Sequence, residues 1–428
     1  MQQTEPTIDA SAPTVDTGLG RPLEGIRVLD LTRALSGPYA TMLLAGLGAE
    51  IVKLEDPRIG DLARGNSPYV GRNGVTVTKQ YDDDVSISHL TRARGKSGIS
   101  LDLRAPGAAE VFADLVTVSD VVIENFSSGT ADRLGVGWSA VQAANPRAVY
   151  CSISGFGAGT DHGSKAMDVI VQALSGAMYT SGEQDGPPVR IGIPLADTLA
   201  PLFAVIGILS ALRQRDETGV GQQVDVSMLG ALTSLVSIEN WQAMSMAGMA
   251  GRTGLTVPRL SPFGIFPCSD GHVAIVAVND GLVGRLGLAM GRPELAVDGR
   301  YANRDARVAN SAVLEDEIRE WLRTLTLAEA CGALAAHGVP HAPVRTPGEA
   351  MQDPRVVSRG ETLKVDHPTV PVTADLRTAG VPIVFSSART GFDPVFATTI
   401  GEQNDRVYGE LLGYPPERIE ELRQSGVV

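Results

Sequence analysis

Asp197 closes the run Gly192-Ile193-Pro194-Leu195-Ala196-Asp197, just ahead of a very apolar segment. A carboxylate at a helix start has two uses. It can cap the first turn by accepting backbone N–H groups. It can also serve as a nucleophile, because the helix dipole favours its ionised form and apolar walls leave it exposed to an electrophile. Asp168, in Lys165-Ala166-Met167-Asp168, heads a second predicted helix over 169–178. Two acids at two helix starts, each after a glycine-bearing loop, can converge on one crevice. In an open α/β sheet that crevice lies outside the carboxyl ends of the strands.

Cations are the other reactive set in this half of the chain: Arg33, Lys53, Arg94, Lys96, Arg104, Arg133 and Lys165. Several follow predicted strands, where a phosphorylated ligand would sit. The run Ser154-Gly155-Phe156-Gly157-Ala158-Gly159 reads as a glycine-rich turn. A dinucleotide fingerprint belongs after the first strand, and there the chain reads Leu31-Thr32-Arg33-Ala34-Leu35-Ser36-Gly37-Pro38. Neither a G-x-S-x-G elbow nor a Walker A pattern occurs. His337 and His341 are four apart, but Gly338 and Pro340 break any helix that would align them. No metal site is expected.

The elements that must position these groups alternate. Short apolar runs at 25–31, 50–54, 98–103, 120–124 and 148–154 read as buried strands, with helices at 38–47, 105–117 and 138–144 between them. Such β-α-β alternation implies a doubly wound parallel sheet. A long helix at 199–213, a strand at 222–226 and an apolar helix over 227–246 follow. Residues 263–267 and 272–277 flank Ser269-Asp270-Gly271 as an antiparallel hairpin. The resulting division is a disordered tail over 1–20, a large domain over 21–228, a linker helix over 229–257, a small α+β domain over 258–350, and a return to the large domain over 351–428.

Composition narrows the function. The 428 residues carry a net charge of −13, which argues against nucleic-acid binding. Cys151, Cys268 and Cys331 are too few and too scattered for a disulfide scaffold, so a cytoplasmic protein is expected. The tail lacks the basic and apolar regions of a signal peptide. The apolar stretch 191–212 could span a membrane by length, but it carries Asp197 and two prolines and is read as a buried core helix.

From residue 22 to about 410 the chain resembles the family III CoA-transferases, the group of formyl-CoA and carnitine CoA-transferases, which share their fold with the α-methylacyl-CoA racemases. The resemblance rests on motifs in order: Pro22-Leu23-Glu24-Gly25-Ile26-Arg27-Val28-Leu29-Asp30, Gly37-Pro38, Leu47-Gly48-Ala49-Glu50, Val52-Lys53-Leu54-Glu55, Leu101-Asp102-Leu103, Glu124-Asn125-Phe126, Asn145-Pro146-Arg147, Ser154-Gly155-Phe156-Gly157 and Asp353-Pro354. It implies a Rossmann-like large domain, an interlocked homodimer, and CoA transfer between an acyl-CoA and a carboxylic acid, with both as substrates and no cofactor. It places the catalytic carboxylate on Asp197, after Gly186-Pro187-Pro188. CoA and substrate contacts fall on Arg33, Leu35, Ser36, Leu101, Arg104, Asn125, Phe126, Arg133 and Lys165, and Asp168 lies near the acyl group.

The chain also departs from its relatives. Leu35 stands where formyl-CoA transferases have glutamine, and Asp56 where they have arginine. Val257-Pro258-Arg259-Leu260-Ser261 replaces their tetraglycine loop. These differences point away from oxalate and formate. Met167 stands where the racemases carry histidine, and a thioether exchanges no proton. A racemase or epimerase is therefore the weaker alternative. A CoA-binding module without turnover is weaker still, because Asp197 is intact. The segment 70–84, with Asp82-Asp83-Asp84, reads either as a cover for the CoA site or as a solvated loop.

Overall fold

The computed structural model describes residues 20–160, 165–365, 367 and 375–428, so the expected tail lies outside it apart from Gly20. Six strands form one parallel sheet: β1 (Arg27–Asp30), β2 (Glu50–Glu55), β3 (Lys96–Ser100), β4 (Val121–Glu124), β5 (Val149–Ser154) and β6 (Gln223–Ser227). Their order in space is β3-β2-β1-β4-β5-β6. The chain winds outward from β1 in one direction, then returns and winds outward in the other. The loops leaving β1 and β4 therefore diverge at the centre of the sheet and open a crevice there. Val28, Leu29 and Val121 to Ile123 are fully buried, as befits strands covered on both faces.

β3 begins at Lys96, not at 98, because a lysine is tolerated inside this sheet. Asp30, at the end of β1, is completely buried and faces Lys96 Nζ at 3.2 Å and Lys53 Nζ at 3.6 Å. Thr32 and Thr41 donate their hydroxyls to the same carboxylate. Burial alone would raise the Asp30 pKa, but the two ammonium groups and two hydroxyls bring it down to about 2. Lys53 also pairs with Asp61 at 3.2 Å and donates to the Thr32 carbonyl. Lys53 and Lys96 are thus consumed by the interior and are not the ligand-facing cations their positions suggested.

Four helices matter to the crevice: α1 (Ser36–Gly46), α2 (Ala108–Thr117), α3 (Asp168–Leu174) and α4 (Leu195–Thr218). α4 starts at Leu195, earlier than expected, and takes Asp197 inside its first turn. Pro201 falls within the helix. α4 is long and apolar enough to span a membrane, and it is only half a core helix. Ala200, Ala204, Ile208 and Ala211 are buried, while Leu202, Phe203, Ile206 and Leu209 remain exposed. The apolar run after β6 is two helices, Met228–Val236 and Trp241–Met246, and the Trp241 indole N–H bonds the Val236 carbonyl between them.

Residues 69–86 are not a bare loop. They form a small antiparallel sheet, and the buried Asp84 carboxylate accepts the N–H groups of Gln80 and Tyr81 at 2.8 and 2.9 Å. This sheet lines a 740 Å³ cavity with Arg64, His89 and Thr398. At the C-terminus Asp405–Leu411 forms a π-helical turn, and Pro416 opens a further helix, Pro416–Gln424.

Contacts divide the chain into two units. One contains Met1–Ser175, Ile193–Leu235 and Met351–Val428, and the other Gly176–Gly192 and Val236–Ala350. The second unit holds an antiparallel sheet of β7 (Phe263–Pro267), β8 (His272–Val276) and β9 (His341–Pro343). Phe266, Val273, Ile275, Leu314 and Ile318 form its core.

The Asp30 cluster generates a stability prediction. Asp30→Ala strands the buried Lys96 ammonium without a carboxylate and leaves Lys53 to Asp61 alone, a defect that costs about 3–5 kcal/mol. The urea midpoint of the large unit should fall accordingly, and an unchanged midpoint would show that the lysines repair themselves with water.

Candidate active site

The crevice is set by a side chain acting as backbone. Asn125, the first residue after β4, accepts the Arg33 N–H on Oδ1 at 2.8 Å and donates from Nδ2 to the Arg33 carbonyl at 2.9 Å. This reciprocal pair fixes the β1 loop against the β4 loop. Arg33 then lies over the Phe126 ring, 5.2 Å from its centroid.

Phe126 lines three cavities along the carboxyl edge of the sheet. A 230 Å³ cavity contains Arg33, Leu101, Arg104 and Asp56. A 350 Å³ cavity contains Ser127, Ser128, Trp138 and Tyr150. A 140 Å³ cavity contains Ser36, Asn125, Gly155, Met167 and Asp197. Gly155 is required at its position, because a Cβ there would overlap the Ala166 methyl group. The close approach brings the segment before α3 against the end of β5.

Asp197 is not its own cap. The N-cap position of α4 is Pro194, which has no side-chain acceptor. Asp168 supplies one from another helix: its Oδ1 accepts the N–H of Ala196 at 2.8 Å and of Asp197 at 3.4 Å. Its Oδ2 accepts the Gln172 amide at 2.8 Å, and that amide also donates to the Ile193 carbonyl at 3.1 Å. Asp168 is thereby committed to structure. The Asp197 carboxyl accepts no hydrogen bond from the described residues.

The electrostatics correct a second expectation. The helix dipole was expected to hold Asp197 ionised, yet its pKa is pushed up to about 6. Burial is the main cause, the Asp168 charge adds to it, and Arg92 opposes it. A partly desolvated, unpartnered carboxylate is a stronger nucleophile than a solvated one.

The remaining candidates divide. Ser36 is 3% exposed, and its Oγ finds no partner among the described residues. Leu101 is buried in the wall of the 230 Å³ cavity. Arg104 reaches the same cavity but is held by Asp56 at 2.6 Å and Asp102 at 3.1 Å. Leu35 occupies the N-cap position of α1. Arg133 is exposed and bonds Thr130, Lys165 is exposed, and neither lines the three cavities. Arg94 stacks on Phe392 at 4.7 Å, away from the crevice. Sequence reasoning missed Ser127 and Ser128, whose signal was their place directly after Glu124-Asn125-Phe126. Among the described residues no group of three His, Cys, Asp or Glu could hold a metal.

The model of CoA-transferase family III matches residues 23–395. The chain is 38% identical over 366 residues to a succinyl-CoA:mesaconate CoA-transferase of Haloarcula hispanica, covering 84% of this chain and 89% of the relative. It is 35% identical over 426 residues to a formyl-CoA:oxalate CoA-transferase of Streptomyces coelicolor, covering 95% and 99%. Among solved structures, a CAIB/BAIF family protein from Brucella suis superposes with a TM-score of 0.80 at 32% identity, over 92% of this chain and all of that one.

The raised Asp197 pKa has a measurable sign. A carboxyl group whose folded pKa lies above its ordinary 3.8 contributes stability that is full below that value and is lost as pH rises through about 6. D197N should therefore raise the thermal midpoint at about pH 8 and leave it nearly unchanged at about pH 4. Equal midpoints at both pH values would remove the desolvated carboxylate from the account.

Proposed function

This chain belongs to CoA-transferase family III, and from that premise we propose that it moves CoA between an acyl-CoA and a carboxylic acid by covalent chemistry on Asp197. The observation that carries the reading is the division between two neighbouring acids: among the described residues Asp168 spends both oxygens on hydrogen bonds, and Asp197 spends neither. The relatives named above, for succinyl-CoA:mesaconate and formyl-CoA:oxalate transfer, support the reaction class.

The steps balance without net proton transfer. The Asp197 carboxylate attacks the thioester carbonyl, the C–S bond breaks, and CoA leaves as thiolate from a mixed anhydride. The thiolate attacks the Asp197 carbonyl of that anhydride and releases the donor acid as its carboxylate, leaving an aspartyl-CoA thioester. The acceptor carboxylate attacks this thioester and frees the thiolate again. The thiolate then takes the acceptor acyl group and regenerates Asp197. The Ser36 hydroxyl, buried and unpartnered in the same cavity, is the side-chain donor we assign to the oxyanions. CoA would lie along the cavities that meet at Phe126, with Arg33 and Arg104 toward its phosphates. No step calls for a metal or a resident cofactor. Met167 stands at the cavity as an exposed thioether, unable to take an α-proton, so racemisation is not proposed.

The exposed apolar face of α3 and α4, with Val169, Ile170, Leu174, Leu202, Phe203 and Ile206, is the surface we assign to a second copy of the chain. In sedimentation at low micromolar concentration the protein should run at twice its 44.9 kDa chain mass. A species at the single-chain mass would return this face to solvent.

The reaction is tested by mixing acyl-CoA donors with carboxylic acids and reading the new acyl-CoA by mass. Asp197→Ala should lower turnover by about 10³-fold or more, roughly 4 kcal/mol of barrier, because alanine offers no nucleophile. CoA should still bind to the variant. Turnover within tenfold of wild type would reduce Asp197 to a residue of the helix.

A further inference from the structure

The chain that links the two acids is itself fastened. Between α3 and α4, residues Gly176–Gly192 leave the large unit and belong to the second one, so the connection from Asp168 to Asp197 passes through that unit as a hook. The hook folds on itself. Val189 donates its N–H to the Ser181 carbonyl and Gly186 donates to that of Glu183, each at 3.1 Å. Arg252 then holds it. Its Nε donates to the Glu183 carbonyl at 3.2 Å and its Nη2 to the Gly186 carbonyl at 2.9 Å. The same guanidinium lies 4.8 Å from the Tyr179 ring centroid. Gly254, two residues on, donates its N–H to the Gly182 carbonyl at 3.1 Å.

Both ends of the hook emerge beside the acids. Ser175 follows α3 directly, and Ile193 stands just ahead of α4. Gln172 holds the Ile193 carbonyl, and Asp168 caps Ala196. Only Arg190, Ile191 and Gly192 separate Val189 from Ile193, a tether of about 14 Å at full extension. A shift of the hook therefore reaches the first turn of α4. The cap also joins residues 28 apart in the chain, and a fastened hook lowers the entropy lost in closing that loop. We infer that Arg252 is a positioning residue for Asp197: by fastening the hook it keeps the Asp168 cap closed on the first turn of α4 and so fixes the Asp197 carboxylate. This inference rests on the acyl-transfer reading and adds to it a control exerted from the second unit.

Steady-state kinetics and amide exchange on the full chain decide it. Arg252→Ala should lower kcat by about 10- to 100-fold, the cost of misplacing a reacting group by about 1 Å. The KM for acyl-CoA should be nearly unchanged, because Arg33 and Arg104 are untouched. Exchange at the Ala196 and Asp197 amides should quicken, while β1 and β4 exchange as in wild type. Arg252→Lys should recover part of kcat, since an ammonium still bonds a carbonyl and lies over Tyr179. Two glycines inserted after Gly192 should slacken the tether with Arg252 intact and give the same loss. Combined with Arg252→Ala, the insertion should add nothing further, because both changes release one restraint.

An arginine that only holds the second unit together would lower the thermal midpoint of that unit when replaced. It would leave kcat per folded molecule, and exchange at Ala196 and Asp197, as in wild type. That pattern overturns the inference, as do losses from the insertion and Arg252→Ala that simply add. If the alanine variant does not fold, the insertion decides alone: wild-type kcat and exchange with a slack tether would sever the hook from Asp197. Labelling of Asp197 by acyl-CoA without acceptor keeps the two claims apart. A labelled wild type with undisturbed exchange in the variants defeats only this inference, and an unlabelled wild type defeats the underlying reading.

Discussion

Asp168 reaches from the first turn of one helix to the open N-terminus of another, and its Oδ1 accepts the N–H groups of Ala196 and Asp197. A helix start leaves orphan N–H groups that must find acceptors, and Pro194 offers no side chain to supply them. Were Asp197 to cap its own turn, its oxygens would be occupied. The borrowed cap leaves them free, and burial together with the Asp168 charge makes ionisation costly. Burial is the larger cause of the raised Asp197 pKa and the Asp168 charge adds to it, so the contact that caps the helix also adjusts the carboxylate proposed as nucleophile.

A second constraint lies beneath the first. The β1 loop that carries Arg33 and Ser36 departs from a strand whose last residue, Asp30, is wholly buried between Lys53 and Lys96. Such a cluster adds little net stability over an apolar core, but breaking it is expensive. Thr32 and Thr41 satisfy the same carboxylate, which ties the strand end and α1 to one point. Asn125 then locks this loop to β4 across the switch point. The loops that bound the crevice are accordingly anchored by buried polar contacts.

Most of the sheet was legible because buried parallel strands write themselves as short apolar runs. Val28-Leu29 and Val121-Val122-Ile123 needed no context. Asp197 stood out through its position before an apolar helix, and the resemblance assigned it the catalytic role. Long-range pairs were hidden. Lys96 looked too polar for a strand because its partner, Asp30, is 66 residues away. Asp168 looked like the cap of its own helix because the N–H groups it serves lie 28 and 29 residues downstream. The direction of the Asp197 pKa shift depended on burial, which a dipole argument from sequence does not contain.

The covalent role proposed for Asp197 predicts a specific path for oxygen. When an acceptor acid labelled with ¹⁸O in both carboxylate oxygens attacks the aspartyl-CoA thioester, one labelled oxygen joins the two acyl groups in the anhydride. Attack of thiolate on the acceptor carbonyl then leaves that oxygen on Asp197. After turnover with labelled acceptor, mass spectrometry of the peptide containing Asp197 should show ¹⁸O in its side chain, with none in D197N under the same conditions. Full turnover with an unlabelled Asp197 peptide would mean that acyl groups pass directly between substrates, contradicting the account.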